Sequence, residues 1–160
     1  RIIGHEFMHA FDVQRIQPKA NLPLWVTPEF MKEYTKRAVC LRESHRSVLS
    51  ISGEEPKLNH TLDSENLADL VGTAVAYSAY SALPQKYKDV GLAGFDMSTD
   101  RLFFVNHCAK WCAQNSVANG PYAPQRSRCI VPLMNMPAFS SAFGCAAGTP
   151  MNPRKKCTFW

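Results

Sequence analysis

The 160-residue sequence contains no apolar run long enough to cross a membrane as a helix. Its best candidate, LADLVGTAVAYSAYSAL, carries Asp69 and many small residues, and reads as a buried helix. Basic runs are scarce too. The densest is RKK near the C-terminus, and the net charge of +5 is spread along the chain. A solvated basic face accounts for that pattern, and a nucleic-acid partner has neither a basic helix nor a motif behind it. Strand-period alternation and internal repeats are missing, which argues against a sheet-based or repeat architecture. Paired zinc-ribbon and C-x-x-C spacings are missing as well, although six cysteines are present: Cys40, Cys108, Cys112, Cys129, Cys145 and Cys157. Disulfides in an oxidising compartment account better for so many. The sequence shows no initiator Met or signal peptide, and its first motif starts four residues in, so a piece of a longer chain is expected.

What is present fits one domain with its own core: 46% of residues are hydrophobic and 19% charged. Helical patterning dominates. A first helix is predicted over roughly residues 1–12, followed by the loop QPKANLP. Thr27 reads as an N-cap with Pro28 at the first helical position, and Phe30, Met31, Tyr34, Ala38 and Leu41 mark one apolar face. A polar stretch runs to about residue 61, and Asp63 or Ser64 then caps a third helix reaching Leu83. Ser98 or Thr99 starts a fourth, which carries RLFFVNHCAKWC. The proline-rich residues 117–137 predict the main loop, and Pro137 opens a short helix, PAFSSAFG, that ends at Gly144. The irregular C-terminal stretch needs a disulfide or docking contacts to be ordered. The expected class is mainly α with long irregular C-terminal loops.

Residues 4–12 read GHEFMHAFD. On a helix His5 and His9 project from one face, with Glu6 beside them and Asp12 a turn further on. This is the H-E-x-x-H arrangement, in which two imidazoles hold zinc and the glutamate serves as general base. A catalytic zinc takes a third protein ligand and keeps one position for water. The third helix offers SENLAD, with Glu65 and Asp69 four apart on one face. Acids on an otherwise apolar helix are costly to bury unless paired or metal-bound. Glu65 is therefore the natural third ligand, and Asp69 the acceptor for the free ring nitrogen of a ligand histidine. Asp12 could serve the other histidine. The plainer account is that Glu65 only starts its helix, where acids favour the dipole.

Taken together, IGHEFMHAFD, TLDSENLADLVGTAVAYSAY, RLFFVNHCAKWC and FGCAAGTPMNPRKKCTFW resemble, in order, segments of neprilysin-like zinc metallopeptidases, the group that includes the endothelin-converting enzymes. The resemblance spans nearly all 160 residues and implies a gluzincin-type helical subdomain, with residues 1–160 as the C-terminal part of the catalytic domain. It implies one zinc per chain held by His5, His9 and Glu65, with Glu6 as general base and Asp12 and Asp69 as partners of the ligand histidines. Two neutral imidazoles and one carboxylate would leave zinc able to acidify its water and polarise a peptide carbonyl. Arg128 falls where the family has an arginine that contacts bound peptide. The family's N-terminal lobe, its membrane anchor and its substrate-gripping strand lie outside this chain.

Several positions depart from the family pattern. Laying YAPQRSR over the family motif puts Tyr122 where a histidine normally donates to the oxyanion. A missing donor of that kind typically costs about 10²–10³ in rate, although a tyrosine hydroxyl can also donate. Tyr122 could equally be a surface aromatic. Lys110, beside Trp111, replaces an apolar residue near the pocket for the side chain after the scissile bond, unless it points to solvent. Leu70 and Val71 replace Asn-Gly and Val131 a glycine, which puts close backbone packing there in question. The resemblance pairs Cys40 with Cys157, and matches Cys112 and Cys145 to cysteines with partners in the N-terminal part. Cys108 and Cys129 have no counterpart and are expected to pair with each other. His45, His60 and His107 are expected at the surface or on helix faces.

The implied function is zinc-dependent endopeptidase action on small extracellular peptides. The alternative is a catalytically impaired ectodomain that keeps zinc for structure or partner binding; Tyr122 and Lys110 favour it and Glu6 opposes it. The implied location is extracellular, as a secreted protein or the ectodomain of a type II membrane protein. Asn59 in the sequon NHT agrees as a glycosylation site.

Overall fold

Side-chain caps mark the starts of two of the helices. The structure, a computed structural model, describes residues 1–16, 24–49, 60–88, 91–112, 120 and 122–159. The loop expected over 17–23 and the sequon residue Asn59 lie outside these residues. Helix α1 covers Ile2–Met8 and passes into a 3₁₀ turn, His9–Phe11, before the short α2, Val13–Ile16. Helix α3, Pro28–Leu49, starts where expected, with the Phe30 amide donating to Thr27 Oγ1 at 3.1 Å. Helix α4, His60–Ser81, begins three residues before Asp63. It is followed by α5, Gln85–Lys88, and by α6, Thr99–Ala109, whose N-cap Ser98 accepts from the Arg101 amide. Helices α7, Gln125–Met134, and α8, Pro137–Phe143, complete the order. Among the described residues there is no strand.

Three local expectations need correction. The first helix is not continuous to residue 12, because α1 gives way to the 3₁₀ turn at His9. Asp63 and Ser64 lie inside α4 rather than capping it. Asp63 is buried and accepts from Arg42 Nε at 2.9 Å, with a second contact from the same guanidinium, so packing against α3 has claimed the carboxylate. The third correction concerns residues 117–137, of which 125–134 are helical. Pro132 sits in the last turn of α7, where its missing N–H removes one bond, and burial of Val131, Leu133 and Met134 outweighs that loss.

The core lies between α3, α4 and α7, closed by α1, α2 and the C-terminal segment. Met8, Val13, Ile16, Leu41, Leu67, Val131 and Phe159 are buried in it. Fully burying a side chain such as Leu67 stabilises the fold by about 1.5–3 kcal/mol. Val131, at a position the resemblance gives to a glycine, is fully buried there and Val71 packs at its edge. A second cluster, Phe104, Leu133, Met136 and Phe139, joins α6 to α7 and α8. The irregular C-terminus is tied down as expected. Cys157 is disulfide-bonded to Cys40, its amide donates to Asn135 Oδ1 at 2.6 Å, and Lys156 Nζ donates to the Met134 carbonyl at 2.7 Å. A second disulfide joins Cys108 to Cys129, with Cα atoms 4.9 Å apart, and links α6 to α7.

The contact that positions the site is the crossing of α1 and α4. Two glycines, Gly4 and Gly72, meet there. A Cβ on Gly72 would stand 2.7 Å from the His5 nitrogen and 3.0 Å from its Cα, both backbone atoms that cannot turn aside. Close approach is thus retained at Gly72, one position beyond the Leu70–Val71 replacement. Gly72→Ala is expected to push α1 off α4, lowering thermal stability by about 1–3 kcal/mol and weakening zinc uptake. Gly91→Ala, where nothing lies within 4 Å, is the control in parallel melts and zinc titrations. Equal behaviour of the two variants would show that the crossing does not set the site.

Candidate metal centre

His5 and His9 straddle the end of α1, and the switch to 3₁₀ geometry at His9 matters. In a 3₁₀ turn side chains three apart eclipse. Asp12 therefore stands directly under His9, with both carboxylate oxygens 3.1 Å from His9 Nδ1. Asp69, from α4, lies 3.1 Å from His5 Nδ1. Each imidazole is anchored through Nδ1 to a carboxylate, which leaves both Nε2 atoms turned toward each other, 3.2 Å apart. Glu65 completes the group, with Oε2 3.4 Å from His5 Nε2 and Oε1 3.8 Å from His9 Nε2. One ligand atom from each of the three residues lies within 4.8 Å of the other two.

These donors fit a zinc ion. Two nitrogens about 2.05 Å from one tetrahedral zinc stand about 3.3 Å apart, close to the observed separation. Two imidazole nitrogens facing at that distance repel unless a proton or a cation lies between them. Glu65 Oε2 is also buried, and its contact with His5 lacks hydrogen-bond geometry, so it remains an unpartnered acceptor. An orphaned anionic oxygen beside two converging nitrogens is what a bound cation would resolve.

Asp69 is fully buried and serves more than His5. Arg128, from α7, donates from Nε to Oδ2 at 2.5 Å and from Nη2 to Oδ1 at 3.0 Å. Arg1 also donates to Oδ1, and its Nε donates to Thr73 Oγ1 at 3.1 Å. Burial alone would push Asp69 up, but hydrogen bonds from His5 and Arg128 and the charge of Arg1 hold it down at about 2. The carboxylate of Asp69 and then that of Glu65 raise His5 to about 9 against the opposing effect of burial.

Glu6 projects from the exposed side of α1 and forms no hydrogen bond or ion pair among the described residues. Trp111 follows α6, and the Arg128 guanidinium carbon lies 4.2 Å from its ring centroid and 4.5 Å from that of Tyr122. Tyr122 is 38% exposed, and its described contact is with Arg128, which in turn holds Asp69. Lys110 does not simply point away, for its ammonium is 5.3 Å from the Trp111 centroid. Cys112 and Cys145 are unpaired thiols.

Two histidines take the helix-face alternative, on the packed side rather than at the surface. His45 is 4% exposed, on the inner face of α3, and burial pushes it down to about 4. His107 is buried between α4 and α7, 3.2 Å from the Cys129 carbonyl and 3.4 Å from Thr73 Oγ1, and is held down at about 3 by burial, then by Arg1 and Lys110. Both lie on the packed side of amphipathic helices, where the neutral imidazole is tolerated. Of His60, only its place at the start of α4 is described. Sequence reasoning missed Arg1 and the Gly4–Gly72 contact. Arg1 stands one helical turn before His5, and that spacing was the available signal.

A helical scaffold in which one helix presents two imidazoles and another a carboxylate, each imidazole backed by a further carboxylate, defines a candidate mononuclear metal centre of the H-E-x-x-H class. A model of Peptidase family M13 matches residues 1–159, and the chain belongs to that family. It is 34% identical to Neprilysin-1 of Trittame loki, over 99% of this chain and 24% of that protein. It is 33% identical to Endothelin-converting enzyme 1 of Cavia porcellus, over 99% of this chain and 22% of that protein, and 30% identical to Membrane metallo-endopeptidase-like 1 of Homo sapiens at the same coverages. The chain thus spans about a quarter of the length of the curated relatives it matches.

The raised His5 pKa has a sign that can be checked. Its contribution to stability is full below the ordinary value of 6.5 and is lost as pH rises through about 9. A metal ion competes for the same nitrogen, so zinc affinity is expected to climb with pH up to about 9. Asp69→Asn removes the main cause of the shift, so its zinc affinity should level off at lower pH. Competitive zinc titrations across that range test this, and parallel pH curves for the two proteins would refute it.

Proposed function

We propose that this chain is the C-terminal catalytic part of a zinc-dependent metalloendopeptidase that hydrolyses small extracellular peptides, with His5, His9 and Glu65 as zinc ligands. The observation that carries the reading is the convergence of both Nε2 atoms and the Glu65 carboxylate, with each Nδ1 held by its own acid. A zinc ion bound there would act as a Lewis acid toward water and the scissile carbonyl.

The chain's own residues supply the rest. Glu6, uncommitted to any described partner, takes the proton of the attacking water on its carboxylate and delivers it to the leaving amine. Asp12 and Asp69 keep the ligand imidazoles in the tautomer that points Nε2 inward. Arg128 uses Nε and Nη2 on Asp69, which leaves Nη1 to donate to a peptide carbonyl. Tyr122, half-exposed beside Arg128, offers its hydroxyl as the oxyanion donor in place of the family histidine.

The exposed apolar stripe of Ile2, Ile3 and Phe7 on α1 supports docking of the N-terminal lobe against this face. The two disulfides and the Asn59 sequon support an extracellular setting, either secreted or as the ectodomain of a type II membrane protein. No helix among the described residues is long and apolar enough to cross a membrane.

In the full-length protein, Glu6→Gln should cut peptide turnover by about 10²–10⁴-fold while retaining stoichiometric zinc. Glu65→Ala should lose the metal itself. Metal analysis alongside peptide hydrolysis separates the two. The peptidase reading fails if wild type has no zinc-dependent turnover and Tyr122→His restores it.

A further inference from the structure

Three cations from three parts of the chain converge on one indole. The guanidinium carbon of Arg128 lies 4.2 Å from the Trp111 ring centroid, that of Arg1 4.8 Å, and the Lys110 ammonium 5.3 Å. A ring quadrupole attracts cations, but three around one ring also repel each other. The carboxylate that offsets them is Asp69, and it is already shared between Arg1, Arg128 and His5. Lys110 has no carboxylate within ion-pair distance among the described residues. Partial desolvation and then Arg1 lower its pKa to about 8, Asp69 opposes them, and Arg128 adds to the lowering.

An excess of positive charge packed this closely is stabilised by an incoming anion. The cluster is reachable: Lys110 is exposed, and Arg1 and Trp111 are partly so. The indole Nε1 is buried without a hydrogen-bond partner, which adds an unused donor at the same ring. Asp69 joins the cluster to the His5 side of the metal centre, so a group bound here would lie next to the reacting bond.

We propose that Lys110, with Arg1 and Arg128 around Trp111, forms a carboxylate-recognition subsite that directs this protein toward peptides carrying an anionic group beside the scissile bond. The inference rests on the peptidase reading above and names its substrate class. Lys110 is the discriminating residue, because the two guanidiniums already have a carboxylate and the ammonium does not. The carboxylate could belong to an acidic side chain or to a free C-terminus.

The test uses the zinc-loaded full-length protein, with binding measured on Glu6→Gln so that peptides stay intact. Amidated peptides with Glu, Gln or Leu after the scissile bond are compared with the Leu peptide ending in a free carboxylate. One charge-assisted contact predicts that a carboxylate-bearing peptide binds about tenfold more tightly than the amidated Leu peptide. That advantage should shrink as salt is raised from about 50 to about 500 mM. Lys110→Leu should remove most of it without changing zinc content, and kcat/KM in the Glu6 protein should follow the same order. Preference for the Glu peptide assigns the side chain as the source, and preference for the free-ended Leu peptide assigns the terminus. Equal binding of all four peptides, or a preference that survives Lys110→Leu, overturns the subsite. Zinc-dependent cleavage that favours the amidated Leu peptide overturns this inference alone. Tight Lys110-dependent binding of the Glu peptide with no cleavage by wild type overturns the peptidase reading alone.

Discussion

The buried carboxylate of Asp69 is the interaction on which the rest of the structure depends. It sits at 0% exposure on a largely apolar helix, a position a carboxylate tolerates only when its charge is matched and its oxygens are hydrogen-bonded. His5, Arg1 and Arg128 meet that demand from α1, its N-terminal flank and α7. Removing a partner from such a group typically destabilises by about 3–5 kcal/mol, because it leaves the charge buried and uncompensated. Two segments far apart in sequence, the N-terminal one and α7, are therefore tied to one point of α4. The same bonds set the His5 ring orientation, so the acid that closes the fold also aims a candidate metal ligand.

The surrounding fold supplies the rigidity this arrangement needs. The glycine contact lets α1 lie directly on α4, which brings both imidazoles within reach of Glu65. The Cys108–Cys129 disulfide ties α6 to α7, fixing Trp111 relative to Arg128. The Cys40–Cys157 disulfide ties the C-terminal segment to α3, whose neighbour Arg42 grips α4 through Asp63. The irregular C-terminal segment is further held by side-chain bonds to backbone carbonyls, Lys156 to Met134 and Arg37 to Phe159, rather than by secondary structure.

Much of this was legible from residue spacing. Glu65 and Asp69 four apart on an apolar helix, and His5 and His9 four apart on another, define the ligand faces without knowledge of how the helices cross. What spacing could not convey is local departure from ideal geometry. Asp12 reaches His9 because the helix tightens into a 3₁₀ turn, and nothing in GHEFMHAFD marks that change. Helix α7 was hidden by its own prolines: Pro124 and Pro132 bracket a run whose apolar face becomes evident only when the neighbours that bury it are known. Whether His45 and His107 face solvent or the core is not legible, because a lone histidine on an amphipathic helix carries no sign of which side it takes. Arg1 was overlooked because its partner lies 68 positions away.

The site divides into two halves, and that division has a physical consequence. The inner half of the site, with two imidazoles backed by acids and a third acid facing them, is complete as a set of metal donors. The outer half carries Lys110, Trp111, Tyr122 and Arg128, and is cationic and aromatic. Asp69 belongs to both halves. A ligand carboxylate in the proposed subsite would compete with Asp69 for Arg1 and Arg128, and every bond it took from Asp69 would leave more of that acid's charge on His5. Stronger charge on the second carboxylate makes the imidazole a better donor. On the proposed subsite, anion binding at Trp111 and basicity at His5 would be coupled through one buried acid, Asp69.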